Sequence, residues 1–92
     1  MALRIANSAL KHGISTDDIS FAILNWTFHV SAFEEARWPG GRSPDLSIGP
    51  LRDRSNLIEV MAVVTPPRDI LVFHAMIARR KHLERAQREG GW

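Results

Sequence analysis

The sequence of 92 residues contains no cysteine, which excludes a disulfide-stabilised scaffold, thiolate metal ligands and a thiol nucleophile. It also has no uninterrupted run of about 18 apolar residues, the length that a membrane-spanning helix needs, so we expect no membrane partner. Residues 1–10 lack the apolar stretch and small-residue cleavage site of a signal peptide. Together these absences predict a cytoplasmic protein.

Three motifs typical of metal-dependent, nucleotide-dependent and serine-nucleophile enzymes are also missing. The histidines never take the His-x-x-x-His spacing of a metal site, and neither a glycine-rich phosphate loop nor a Gly-x-Ser-x-Gly elbow occurs. We therefore predict no metal and no cofactor.

The composition is that of one small globular domain. Apolar residues make up 45% of the chain, which is ordinary for a folded protein and too high for a disordered one. We predict a single domain over residues 1–92 with a small core. The net charge is only +2, but residues 68–92 carry six Lys or Arg against three acidic residues. This basic end favours an anionic partner, of which nucleic acid is the commonest.

The first quarter of the chain has the pattern of two short helices. The first is predicted over 6–12 and ends at Gly13, because glycine adopts a positive φ without penalty. Ser15 then has the position of an N-cap, with Asp18 three residues later in a capping-box-like arrangement. The apolar residues that follow recur at helical spacing, which predicts a second helix over 16–25.

Four later segments have the pattern of β-strands: 27–33, 45–51, 57–65 and 70–77. The last two are nearly continuous apolar runs with a short connection, which predicts an antiparallel hairpin at the centre of a sheet. We predict a mobile loop over 34–44, a helix over 78–88 and a flexible tail over 89–92. The predicted fold class is α+β: two N-terminal helices packed on a four-stranded, mainly antiparallel sheet, with a C-terminal helix.

His74 interrupts the last apolar strand. Strict alternation places it on one face with Val72 and Met76, and an imidazole titrates near neutral pH, which suits proton transfer. A lone histidine in an apolar strand is, however, more often a core residue whose ring nitrogens are hydrogen-bonded. Glu59 is the ionisable residue of the neighbouring strand, and the sequence leaves open whether the hairpin register brings it to His74.

A basic cluster follows that strand directly. Arg79, Arg80 and Lys81 open the predicted C-terminal helix, where their charges oppose the helix dipole at a cost of a few tenths of a kcal/mol each. Such a local conflict is typical of a phosphate site, although a solvated surface run has the same composition. Further candidates for phosphate or RNA contacts lie elsewhere: Lys11, His12, Arg52 and Arg54. Trp38 and Trp92 are candidates for aromatic side chains on which RNA bases stack.

Several short motifs resemble a known family. Residues 10–15 (Leu-Lys-His-Gly-Ile-Ser) resemble the "KHG" segment of BrnT-type toxins. Residues 48–50 (Ile-Gly-Pro) and 56–60 (Asn-Leu-Ile-Glu-Val) resemble related small toxins, and residues 74–79 (His-Ala-Met-Ile-Ala-Arg) resemble the final strand and "AR" signature that both groups share. The ordered set spans residues 10–81. The chain departs from the family in having no aromatic strand before its first helix.

The resemblance implies a fold similar to RelE and ParE toxins of bacterial type II toxin–antitoxin systems. It implies a metal-independent ribonuclease that cleaves mRNA, free or on the ribosome, and that a cognate DNA-binding antitoxin neutralises. Carried over by position, it implies His12, Arg79 and Arg80 as site residues, with His74 and Lys81 adjacent. Together with the candidates above, we predict His12, His74, Arg79 and Arg80 as catalytic residues and Lys11, Arg52, Arg54 and Lys81 as RNA-binding residues.

Two other functions stay open from the sequence. The chain could be a non-catalytic, toxin-like protein that binds an antitoxin in an autoregulatory complex. Alternatively, it could poison gyrase, as ParE relatives do.

Overall fold

The computed structural model describes residues 2–35, 41–65 and 69–89 of the chain. Within these ranges it forms five strands and two α-helices. The strands are β1 (Ala2–Ile5), β2 (Phe28–Val30), β3 (Asp45–Pro50), β4 (Leu57–Thr65) and β5 (Asp69–Ile77); the helices are α1 (Thr16–Leu24) and α2 (Arg80–Glu89). A short 3₁₀ helix (Asn7–Leu10) lies between β1 and α1.

The strands form one mixed sheet in the order β1-β5-β4-β3-β2. Strand β1 runs parallel to β5, and the other neighbouring pairs are antiparallel. The predicted antiparallel pairing of the two long apolar strands is confirmed, with Ile58 opposite Ile77 at one end and Thr65 opposite Asp69 at the other. The connection at 66–68 lies outside the described residues.

The predicted fold class is wrong in two respects. The sheet has five strands and is mixed, and among the described residues one α-helix precedes β2 where two were expected. Residues 2–5 are too short to show a strand pattern; they form β1 because their backbone groups pair with the open edge of β5. Residues 6–12 contain the 3₁₀ helix because their bonds join residues three apart, such as Ala9 N–H to Ala6 O at 2.9 Å.

Each face of the sheet is covered by a different layer. Helix α1 and the 3₁₀ helix cover one face, where the buried residues are Ala9, Ile19, Ala22, Ile58, Val60, Ala62, Val72 and Ala75. Helix α2 covers the other face, where the buried residues are Val30, Phe33, Leu46, Ile48, Met61 and Ala86. Since β4 has a strand on each side and a layer on each face, its residues 58–62 are all buried, as predicted for a central strand.

Helix α1 begins at the predicted cap, where the Ser15 hydroxyl accepts a hydrogen bond from the N–H of Asp18 at 3.1 Å. The helix then lies directly on β3. A Cβ atom at Gly49 would collide with the backbone carbonyl of Ala22, so this close approach requires glycine.

A β-bulge in β5 sets the position of the candidate site. Met61 pairs with His74 but its neighbour Ala62 pairs with Val72, so Phe73 is an extra residue. Val72 and Ala75, three residues apart, are consequently buried in the same cluster. The predicted alternation therefore holds from His74 to Met76 and is wrong before the bulge, because His74 shares the α2 face with Met61 and not the face of Val72.

Three predicted segments are shorter than expected or lie partly outside the residues that the structure describes. Strand β2 is shorter than the predicted 27–33 because the chain turns at Ala32, whose φ is 50°. Of the predicted mobile loop (34–44) and tail (89–92), residues 36–40 and 90–92, including Trp38 and Trp92, lie outside the described residues. None of the helices in the described ranges is long and apolar enough to span a membrane.

Candidate functional site

A single buried carboxylate organises the candidate site. Glu59 is in the middle of β4, and its side chain is 0% exposed. Its Oε1 accepts a hydrogen bond from the backbone N–H of Arg79 at 2.8 Å. Its Oε2 accepts from Nη2 of Arg79 at 2.7 Å, and it lies 2.8 Å from Nε2 of His74 and 3.0 Å from Nδ1 of His82. With Nε of Arg79, which lies 3.2 Å from both oxygens, five donors from β5, from α2 and from the residue before α2 converge on one side chain.

The topology explains this convergence. Glu59 lies opposite Met76, and His74, two residues earlier on β5, is on the same face by regular alternation. The chain then leaves β5. Arg79 lies directly before the first turn of α2, and its carbonyl accepts a hydrogen bond from the N–H of Leu83 at 3.0 Å. His82 lies on that first turn, so the helix starts against the carboxylate.

The contacts of Glu59 determine which imidazole nitrogens carry a proton. An ionised carboxylate only accepts hydrogen bonds, so Nε2 of His74 and Nδ1 of His82 must both be protonated. In a neutral His74 the lone pair is then on Nδ1, across the ring. No described residue hydrogen-bonds to that atom, and in the described chain no buried side-chain nitrogen or oxygen lacks a partner; Nδ1 of His74 is therefore open to solvent.

The carboxylate stays ionised despite its burial. Burial by itself would raise the pKa of Glu59, but hydrogen bonds from His74, Arg79 and His82 outweigh it and hold the pKa well below its usual range. In return, Glu59 raises the pKa of the Arg79 guanidinium. The cluster is thus a fixed negative charge paired with a fixed positive charge, to which two imidazoles are attached.

A second group of residues adjoins His74 on its other side. The ring of His12 meets the ring of His74 edge to face, with centroids 5.8 Å apart. Lys11 and Ser8 line a cavity of about 270 Å³ together with His74 and Phe73, and the Ser8 hydroxyl donates to the carbonyl of Phe73 at 2.7 Å. The 3₁₀ helix is held on β5 in this way, and the two residues that follow it place the His12 ring against His74 and Lys11 in the wall of the cavity.

The environment of His82 is different. Its ring meets the ring of Phe33 edge to face, with centroids 5.1 Å apart. The guanidinium of Arg85 lies over the same Phe33 ring, 4.3 Å from the ring centroid. The side chain is only 12% exposed. His82 therefore joins α2 to the sheet, and the sequence offers one signal for it: it follows Arg79 by three residues, one helical turn.

The structure brings together only some of the predicted site residues. His74, His12, Lys11 and Arg79 are near one another, around the carboxylate or the adjoining cavity. Arg80 is 90% exposed and pairs with Glu84 along α2, and Lys81 is also exposed. The remaining two predicted residues serve the turn after β3: Arg52 pairs with Asp17 and Asp18 on α1, and Arg54 lies over the ring of Phe21.

Comparison with models of protein families, with curated proteins and with solved structures finds no match for this chain. The resemblance to BrnT-type toxins stays a prediction.

Proposed function

We propose that the chain is the toxin component of a bacterial type II toxin–antitoxin system, a cytoplasmic, metal-independent ribonuclease that cleaves mRNA and is neutralised by a cognate antitoxin protein. The observation that carries this proposal is the Glu59–His74 pair, whose imidazole ring meets that of His12 and lines a cavity together with Lys11. The resemblance of residues 10–15 and 74–79 to BrnT-type toxins supports the same reading.

His74 is the proposed general base. Because Glu59 holds Nε2–H, Nδ1 presents its lone pair to the cavity and removes the proton from a ribose 2′-hydroxyl. The 2′-oxygen then forms a bond to phosphorus as the bond to the 5′-oxygen breaks, which yields a 2′,3′-cyclic phosphate and a 5′-hydroxyl end. Glu59 acts as a positioning residue: it orients the ring and stabilises the imidazolium that forms.

His12 and Lys11 supply the other requirements of this reaction. A protonated His12 gives its proton to the leaving 5′-oxygen, and Lys11 offsets the charge that develops on the phosphate. Arg79 contributes less than the sequence predicts. The Nε and Nη2 edge that would bind phosphate in a bidentate way is already bound to Glu59, so only Nη1 is left for a single contact.

Cleavage of a purified RNA by the full chain in EDTA tests these roles. In His74→Gln the side-chain amide keeps a donor where Nε2 was but has no basic nitrogen, so we expect a rate loss of at least about 10²-fold. In the matched variant His82→Asn the amide likewise keeps a donor where Nδ1 was, and we expect a loss below about tenfold. Equal losses in the two variants, or wild-type rates in both His74→Gln and His12→Ala, would contradict the proposal.

The tautomer of His74 separates the role of Glu59 in orientation from a purely structural one. In Glu59→Gln an amide NH₂ group faces His74, so Nε2 is expected to become an acceptor and the proton to move to Nδ1, which nitrogen NMR of the imidazole detects. A variant that merely unfolds more easily would lose rate without changing the tautomer.

One observation favours a non-catalytic protein as the second candidate. Every hydrogen bond of Glu59 is internal, and together these bonds tie β4 to β5 and to the start of α2. A purely structural role would need the same contacts. Expression in a bacterial host distinguishes the candidates: growth arrest with mRNA loss supports the ribonuclease, arrest with induced DNA damage supports a gyrase poison, and normal growth supports a chain that only binds its antitoxin.

A further inference from the structure

A second cavity lies on the opposite face of the sheet from Glu59. It has a volume of about 190 Å³ and opens where the short helix α1 ends and leaves the sheet uncovered. Most of its wall is apolar, with Ile23, Trp26 and Val64 around it and Ala62 among the sheet residues beneath. Trp26 is 39% exposed and Val64 is 40% exposed, so a guest can reach the interior without unfolding the chain.

The remaining wall is polar and is built by two neighbouring strands. His29 of β2 lies directly opposite Ser47 of β3, and its Nδ1 is 3.0 Å from the Ser47 hydroxyl oxygen. Asp45, two residues before Ser47, is held through Oδ1, which accepts from the N–H of Ala32 at 2.9 Å. Its Oδ2 lies 3.5 Å from Nε2 of His29, which is too far for a strong hydrogen bond.

This arrangement determines what the polar wall offers to a guest. A lone pair on Nε2 of His29 would face the carboxylate and be repelled, so Nε2 carries the proton and Nδ1 accepts from the Ser47 hydroxyl. Oδ2 of Asp45 accepts no hydrogen bond from the residues that the structure describes. The wall thus presents one donor and one acceptor 3.5 Å apart, and a single hydroxyl group can accept from the first and donate to the second.

The shape and lining of the cavity indicate what should carry that hydroxyl. A cavity of about 150 Å³ lined by apolar side chains takes up a benzene molecule, so about 190 Å³ holds one substituted ring. Trp26 lies at the mouth with its ring 5.4 Å from His29, and an aromatic guest can pack against it. We propose that this cavity binds a small phenol, with its ring among Ile23, Ala62 and Val64 and its hydroxyl between His29 and Asp45. The proposal is independent of the ribonuclease proposal.

Three ligands of similar size separate the contributions of the ring, the hydroxyl and a positive charge: toluene, p-cresol and benzylamine. They are titrated into the full chain, with binding followed by heteronuclear NMR at the backbone amides of the cavity. We expect saturable binding of p-cresol with a Kd of about 1 mM, an ordinary value for so small a ligand, and binding of toluene at least fivefold weaker. Equal affinity for toluene would overturn the role of the hydroxyl, and tighter binding of benzylamine would show that the cavity recognises a cation.

Variants of the wall test the same assignment. Asp45→Asn keeps an oxygen for the N–H of Ala32 but turns an amide donor toward the guest, so p-cresol should bind at least fivefold more weakly while toluene is unaffected. Val64→Phe narrows the mouth and should abolish binding of both. The matched control is Leu71→Phe, which enlarges another exposed apolar residue of the sheet and should change neither. Unchanged binding of p-cresol in both Asp45→Asn and Val64→Phe would overturn the proposal.

A phenol ring can also come from a tyrosine of another protein, since this chain has no tyrosine of its own. A blocked Gly-Tyr-Gly peptide distinguishes the two sources. We expect it to bind more weakly than p-cresol, because its backbone does not fit beside Trp26 and Val64. Tighter binding of the peptide would overturn the assignment to a free small molecule.

Discussion

Replacing Glu59 by glutamine is the sharpest perturbation of this fold, because the side chain is fully buried and charged. The amide keeps one oxygen, which can still accept from the backbone N–H of Arg79. Its NH₂ group, however, takes the place of Oε2, where three donors now converge from His74, His82 and Arg79. Donor then faces donor, and those hydrogen bonds are lost.

The geometry sets the size of the effect. A hydrogen bond to a charged group contributes about 1.5–3 kcal/mol, so the two imidazole bonds together contribute about 3–6 kcal/mol. Arg79 adds little to this sum, because its side chain is 39% exposed and water can replace the lost carboxylate. Rotation of the two rings recovers part of the loss. We expect the free energy of unfolding to fall by about 3 kcal/mol, a large fraction of the total for a domain of this size.

Urea denaturation followed by circular dichroism measures this change, and thermal unfolding should show a decrease in Tm of roughly 10–20 °C. The control is Glu84→Gln, which removes an exposed carboxylate paired with Arg80 at 3.4 Å and should change the free energy of unfolding by less than about 0.5 kcal/mol. If Glu59→Gln were as stable as Glu84→Gln, the carboxylate would not hold α2 on the sheet and the reasoning would fail.

Three further predictions concern pH, packing and capping. The pKa of Glu59 is lowered from an ordinary 4.5, so its contribution to stability is complete above about pH 4.5 and is lost as the pH falls toward the lower folded pKa. Unfolding midpoints measured from pH 7 to pH 3 should therefore fall more steeply for the wild type than for Glu59→Gln. Parallel curves for the two proteins would contradict this prediction. Gly49→Ala places a methyl group 2.9 Å from the carbonyl carbon of Ala22 and should lower the free energy of unfolding in urea by about 1–3 kcal/mol; an unchanged midpoint would mean that α1 can move freely. Ser15→Ala removes the cap at the N–H of Asp18 and should cost about 1 kcal/mol, with Ser15→Asp restoring most of it.

Local pattern predicted the parts of the fold that depend on local physics. The cap at Ser15, helix α1 and the antiparallel pairing of β4 with β5 follow from hydrogen-bonding side chains, helical spacing and a short connection between two apolar runs. Strand β1 could not be predicted in this way. Four residues carry no readable alternation, and they are extended only because β5 offers them an unpaired edge.

The site was predictable only in part, for a similar reason. The sequence pointed to His74 and to a basic cluster next to it, but it treated Arg79, Arg80 and Lys81 as one group. Their surroundings differ because Arg79 lies before the first turn of α2, next to Glu59, whereas Arg80 is already on the exposed side of the helix. Nothing in the residue types distinguishes them.

The sequence by itself determined that this is a small, cysteine-free α+β chain with a buried central hairpin, because composition and hydrophobic spacing act over a few residues. Only the tertiary structure decided which charged and titratable groups meet. The pairing of β4 with β5 places His74 on the face of Glu59, and the pairing of β2 with β3 places His29 opposite Ser47. Both depend on strand register, which is set by contacts between residues far apart in the chain and leaves no mark on local spacing.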